Sequence, residues 1–383
     1  MHVPDGFLDA PVSVAAGVFA AAAVAVSLRG ARRELDAPPG AGAFGTSTGG
    51  ERLAPLAGLV AAFVFAAQML NFPVAAGTSG HLMGGALTAI LVGPWTGVLC
   101  LSVVLLLQGV LFADGGLTAL GVNITVMGVV TVVTGYVVFR ALVAVLPRGR
   151  RAVTASAFVA ALLSVPAAAL AFTGLYAVGG TTDVPLGKVA TAMIGVHLLI
   201  GLGEAAITAL TVGAVLAVRP DLVHGARSAV RPLKLRVDGR LVDAPVPIAL
   251  TTARTSRRRL WAGGLAVSLL LAGVLSFYAS GAPDGLEKVA ADQGIDAEER
   301  EHATADSPLA DYGVGDLGDT WLSVGLAGVI GVGVTVAAGT GIFWAVRRRG
   351  GPDPEPGAGS SDPSGPGTTG EASGPGTTGV QER

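Results

Sequence analysis

Charge is scarce in this sequence: 14% of its 383 residues are Asp, Glu, Lys or Arg, against roughly 25% in an ordinary soluble domain. That scarcity argues against a soluble globular protein. Cysteine occurs once, at Cys100, which excludes an intramolecular disulfide and any Cys-pair metal site and leaves Cys100 as filler in an apolar run. Aromatic residues make up 5%, and 25 basic side chains face 27 acidic ones, so no overall basic field exists to attract nucleic acid. What is abundant is apolar mass, 51% of the chain, together with 57 glycines, a composition that close-packed membrane helices tolerate. The fold class expected is an all-α, polytopic bundle of membrane helices.

A hydrocarbon core about 30 Å thick takes roughly 20 apolar helical residues. Ala10 to Leu28, Leu53 to Leu70 and Leu260 to Ala279 approach that length almost without interior charge. The run from Leu82 to Phe112 is broken by Gly93-Pro94, which separates a short span from a full one. Further spans are expected at about 117–139, 152–177, 186–218 and 320–346, nine crossings in all, seven before a basic stretch and two after it. Positive charge collects on the cytoplasmic side of membrane proteins. Arg29, Arg32, Arg33 and Arg52, then Arg140, Arg148, Arg150 and Arg151, then the basic stretch after residue 218, and finally Arg347 to Arg349 fall on one side of a nine-crossing chain. This predicts a multi-pass cell-membrane protein with its N-terminus outside and its C-terminal tail in the cytoplasm. The opening MHVPDGFLDA has no basic segment, so a cleaved signal peptide is not expected. Four regions follow: a membrane domain over 1–220, a basic linker over 221–256, a two-span module over 257–349, and a tail over 350–383 in which SGPGTTG occurs twice and which is expected to be disordered. The glycine-rich loop 30–50 is expected to be flexible as well.

Five histidines are present, at 2, 81, 197, 224 and 302. His2 is the informative one. The amine of Met1, the backbone nitrogen of His2 and the His2 imidazole can close fused five- and six-membered chelate rings on a late divalent metal, supplying three in-plane nitrogens. Pro4 has no N–H and a fixed φ, which turns the chain sharply after the chelate. His81 lies in GTSGHLMGG on the same side of the membrane, in a small-residue loop that lets backbones approach, and could supply the fourth nitrogen. His197 and Glu204 are seven residues apart within an apolar span, on nearly one face, as partners of the ligands, as groups along an exit path, or as a hydrogen bond that fixes helix packing. His224 and His302, in charged segments, are expected to take no part.

MHVPDGFL at 1–8, TSGHLMGG at 78–85 and FADGGLTALGVN at 112–123 resemble the CbiM/NikM family, the substrate-binding membrane components of energy-coupling-factor transporters for cobalt and nickel. PDGLEKVA at 283–290 resembles the PDGLE, or CbiN-like, module that accompanies them. The resemblance covers about 1–220 and 256–347; Val126-Met127 stands where the family often has Asn-Met. It implies that Met1, His2 and His81 bind the metal, with Asp114 and Asn123 of the third motif beside His197 and Glu204 as supporting or pathway groups. It implies that Pro283, Asp284, Gly285 and Leu286 meet the N-terminal domain and help the metal to enter. Ni(II) or Co(II) is then the transported substrate, no organic cofactor is expected, and the partners are a CbiQ-like coupling subunit and CbiO-like ATPases in the lipid bilayer.

The missing motifs agree. No G-x-x-x-x-G-K-[ST] occurs, since Gly180 and Gly187 are too far apart before Lys188 and Val189 replaces the hydroxyl residue, so ATP hydrolysis must come from other chains. H-E-x-x-H is absent too. Two alternatives remain from other classes: a carrier or channel for another substrate, and a rhomboid-like intramembrane serine protease in which Ser79 of GTSG and His197 form a dyad.

Overall fold

A computed structural model describes residues 1–36, 50–75, 77–226, 234–237, 240–243, 252–315, 317 and 319–348. The tail over 350–383, the greater part of the loop at 30–50 and much of the 221–256 linker lie outside the described residues. The order of the main elements is α1 (Ala10–Asp36), α2 (Gly50–Gln68), β1 (Phe72–Ala75), β2 (Thr78–Gly80), α3 (Gly85–Val92), α4 (Pro94–Leu111) and α5 (Leu120–Asn123). A π-helical stretch, Ile124–Val130, joins α5 to α6 (Thr131–Val145). Then follow α7 (Arg150–Gly179), α8 (Leu186–Val218), a hairpin of β3 (Lys234–Val237) and β4 (Arg240–Asp243), α9 (Thr252–Gly273), α10 (Gly285–Gln293) and α11 (Thr320–Arg348).

Among the described residues six helices are long and apolar enough to cross a membrane: Ala10–Glu34, Pro94–Leu111, Leu120–Val145, Arg150–Gly179, Leu186–Val218 and Thr320–Val346. The other three expected crossings are not among these six. Helix α2 runs Gly50–Gln68, and Pro55–Gln68 is a shorter apolar helix among the described residues. The span expected over Leu260 to Ala279 leaves the α-helix at Gly273 and continues as a 3-10 turn, Leu275–Tyr278, because Val274 departs from helical backbone angles. Helix α3 has eight residues, about 12 Å at 1.5 Å per residue. It cannot span a bilayer by itself, and the extended segment Gly80 to Gly84 that enters it is buried with it. The break is chemical: Gly84 at φ 83° and Gly93 at φ 102° bound the short helix, conformations that favour glycine, and Pro94 then starts α4 at a position where its missing N–H costs nothing.

Two cores result. The larger joins α2, α3, α4 and α11 through Phe65, Phe112, Leu87, Ile90 and Phe343. The smaller gathers Met1, Val3 and Phe7 against Phe172 of α7, Met193 of α8 and Leu286 of α10. The chain start and the turn into α10 thus pack on the same pair of helices. Val14, Val18 and Phe19 of α1, Leu170 of α7 and Leu210 of α8 point outward, as a lipid-facing surface requires.

Candidate metal site

The first eight residues are held in place before any ligand is considered. Asp5 accepts hydrogen bonds from the backbone N–H of Leu117 and Thr118 at 3.2 and 2.8 Å and from the Thr118 hydroxyl, satisfying donors at the turn that enters α5. Gly116 N donates to Val3 O at 2.9 Å, and a Cβ at Gly116 would fall 2.3 Å from Asp5 N, so only glycine lets these strands approach. Asn123 bonds Val3 in both directions, its Oδ1 accepting from Val3 N at 2.7 Å and its Nδ2 donating to Val3 O at 3.1 Å. Phe7 O and Gly6 O are taken by Thr181 beyond the end of α7. The chain end is therefore turned back into the bundle, with Met1 2% and His2 8% exposed.

His81 arrives from a different direction. Strand β2 pairs with β1 in the register Phe72↔Gly80 and Pro73↔Ser79, and carries the chain inward. The Glu204 carboxylate of α8 accepts from Met83 N at 2.6 Å and Gly84 N at 2.9 Å, while Gln68 of α2 donates to Met83 O at 3.0 Å. These three bonds fix the backbone just after His81. Its Nδ1 donates to Leu82 O at 3.1 Å, which leaves the Nε2 lone pair facing the chain end, an arrangement typical of metal-binding histidines. Replacing Glu204 by leucine would leave two interior N–H groups unsatisfied, each costing about 1–3 kcal/mol. Thermal unfolding in detergent should fall markedly for Glu204→Leu and much less for Glu204→Gln, which keeps one acceptor.

The cluster itself joins both modules. The Met1 ammonium donates to His81 Nε2 at 2.6 Å and forms an ion pair with Asp284 Oδ2, which lies 3.6 Å from His81 Nε2. The rings of His2 and His81 stack with centroids 5.1 Å apart and 17° between planes. His2 Nδ1 donates to Asp114 Oδ1 at 3.0 Å, and its Nε2 lies 3.3 Å from Gln108 Oε1. Burial acts to raise the Asp284 carboxyl, but the Met1 ammonium and His81 outweigh it and hold it well below the ordinary carboxylate range. Asp114 behaves alike: against its burial, His2 and then Tyr312 bring it down to about 2.

The four residues of the PDGLE turn do different things. Ala282 O and Pro283 O receive the hydroxyl and the N–H of Ser79 at 2.7 and 2.9 Å. Asp284 caps α10 through Oδ1, which accepts from Leu286 N and Glu287 N, and Glu287 completes the box by accepting from Asp284 N at 2.8 Å. A Cβ at Gly285 would sit 2.6 Å from Ile200 of α8 and 3.1 Å from His197 Cε1, and Leu286 is fully buried in the smaller core.

Of the residues singled out in the sequence, Met1, His2, His81 and Asp284 converge directly. Asp114 and Asn123 support His2 and Val3, and Glu204 supports the His81 backbone. His197 stands beside the turn, with Nδ1 donating to Met193 O at 2.7 Å and Nε2 buried without a hydrogen-bond partner. The Ser79–His197 dyad does not form, because the Ser79 hydroxyl is committed to carbonyls of the second module and His197 Nε2 makes no hydrogen bond. His302 comes closer than its charged surroundings suggest, with Nε2 3.1 Å from Gly115 O. Sequence reasoning missed Gln108, Asp5 and Tyr312. The Tyr312 hydroxyl donates to Asp114 and accepts from Gln108 Nε2 at 2.9 Å, so it braces both groups that hold His2. Gln108, a lone amide in LLLQGV, and Asp5, an acid in an otherwise apolar start, carried a weak signal, whereas Tyr312 carried none.

Architecture and cluster together define a multi-pass helical membrane protein with a buried site of nitrogen donors and one carboxylate at the N-terminal end of its bundle. Residues 2–222 match the family described as the cobalt uptake substrate-specific transmembrane region, CbiM, and the chain belongs to that family; residues 258–348 match the PDGLE domain. The chain is 35% identical over 341 residues to the putative fused nickel transport protein NikMN of Archaeoglobus fulgidus, an alignment covering 88% of this chain and 97% of that one. It is 36% identical over 229 residues to the cobalt transport protein CbiM of Geobacter sulfurreducens, covering 58% and 61% of the two chains. A crystal structure described as a transition metal transporter is 28% identical and has a TM-score of 0.48, covering 57% of this chain and 93% of that one. The protein is accordingly a membrane component of cobalt or nickel transport.

Proposed function

We propose that this chain is the substrate-binding membrane component of an ATP-driven energy-coupling-factor importer for Ni(II) or Co(II). The transported ion is held by the Met1 amine, the His2 backbone nitrogen, the His2 imidazole and His81 Nε2. The observation that carries this is the meeting of the Met1 amine and His81 Nε2 at 2.6 Å, in a buried cluster where the His2 ring stacks on His81. Four nitrogens suit late divalent metals, and a planar field suits Ni(II) in particular. The relatives' names supply both nickel and cobalt. The Pro283 to Leu286 turn assists loading, which its contacts with Ser79, Met1 and α8 support.

The site lies outside and the arginine-rich helix ends face the cytoplasm, as the distribution of positive charge favours. Arg148, Arg150 and Arg151 then lie where a CbiQ-like coupling subunit and CbiO-like ATPases dock. The test is transport in sealed proteoliposomes. Sustained accumulation of Ni(II) or Co(II) should require the coupling subunit, the ATPases and ATP, and accumulation by this chain alone without ATP would overturn the assignment.

A further inference from the structure

As the side chains stand, the four-nitrogen plane is not assembled. His2 Nδ1, the nitrogen needed to close its six-membered chelate ring, is turned to Asp114 at 3.0 Å, and the Met1 amine is paired with Asp284 of the second module. What is assembled is a different set. Ligand atoms of His2, His81 and Asp284 all lie within 4.8 Å of one another, on side chains no more than 9% exposed. Two of these donors are already prepared. His81 directs the Nε2 lone pair at the cluster because its other nitrogen donates to Leu82 O. The Asp284 carboxylate is divided: Oδ1 is spent on the first turn of α10, and Oδ2 faces Met1 and His81.

We propose that His2, His81 and Asp284 form an entry site distinct from the final plane, and that Asp284 Oδ2 is a metal ligand supplied by the fused module for loading only. The ion first binds Asp284 Oδ2 and His81 Nε2 beside the His2 ring. The metal–oxygen bond is then replaced by bonds to the Met1 amine, the His2 backbone nitrogen and His2 Nδ1; the ammonium and amide protons pass to water, and the His2 ring turns from Asp114 with its remaining proton carried on Nε2. A carboxylate and a bare imidazole nitrogen bind without losing a proton, whereas a backbone amide must lose one, so a labile oxygen ligand shortens the time the ion spends unanchored. The divided carboxylate suits this exchange, because Oδ2 can release the ion while Oδ1 stays bound to the first turn of α10 and the turn keeps its place. The inference rests on the nitrogen plane proposed above.

Asp284→Asn tests it in the full chain with native Met1, since asparagine caps a helix as well as aspartate and preserves the turn while removing the anionic ligand. With Ni(II) as probe, stopped-flow association should slow at least tenfold, while the equilibrium absorption of the planar nitrogen complex stays that of the unaltered protein. An association rate unchanged or faster would overturn the proposal, and so would a changed equilibrium spectrum, which would make Asp284 a permanent ligand. A second measurement needs no variant. X-ray absorption of the unaltered chain freeze-quenched within milliseconds of mixing should show mixed nitrogen and oxygen ligation that gives way to nitrogen alone; nitrogen-only ligation from the first time point would overturn the entry site. If the unaltered protein shows no planar nitrogen complex at equilibrium, it is the plane that fails, before any variant is compared.

Discussion

A chain extended by a few residues ahead of Met1 should lose tight Ni(II) and Co(II) binding, by at least a hundredfold in Kd measured by competition with a chelator. An added residue converts the amine into an amide, which removes one donor and the five-membered chelate ring closed through it. It also deletes the positive charge that pairs with Asp284. Sterics point the same way, because Met1 is 2% exposed and its nitrogen already lies 2.6 Å from His81 Nε2. Outer-shell changes at metal sites typically cost 10–100-fold, and the loss of a ligand should exceed that. An extended chain that binds as tightly as the native one would exclude the amine as a donor. A tag placed at the C-terminus provides the control.

His81→Ala should be as damaging, with affinity falling by more than about a hundredfold in the same assay. No other imidazole can take its place at the cluster, since His197 is held by Met193 O against Gly285 and His302 faces Gly115 O. His224→Ala should bind normally, because His224 lies beside Tyr136 of α6, toward the far end of the bundle. Wild-type affinity in His81→Ala would place the fourth ligand elsewhere. Acid should mimic the substitution in unaltered protein: imidazole and amine must shed protons to bind metal, so apparent affinity should fall steadily as pH is lowered.

The helical class, the membrane setting and the long spans were legible because each is written in local composition. Uninterrupted apolar runs mark α1, α7, α8 and α11, and Gly93-Pro94 marks the end of α3. The count of nine crossings is not matched exactly, and the span whose end differs is one whose end depends on context. The turn after Gly273 is set by where the chain must pack, and hydropathy does not record that. The chelate proposed for Met1 and His2 could be suggested from residues 1–8 alone, because it needs only neighbours in sequence.

What the sequence determined by itself, then, was the bilayer as solvent, and what it suggested was the N-terminal chelating unit proposed above: apolar runs and adjacent donors are properties of short segments. What only the tertiary structure decided was how that unit is completed. Asp284 meets Met1 across 283 positions, and Tyr312 braces Asp114 across 198. Both contacts exist because α9 and α11 pack against α2 and bring the segment between them over the N-terminal end of the bundle. Docking of one module on another is settled by the fit of whole helix faces and by satisfaction of buried polar groups. No short stretch of sequence carries that information.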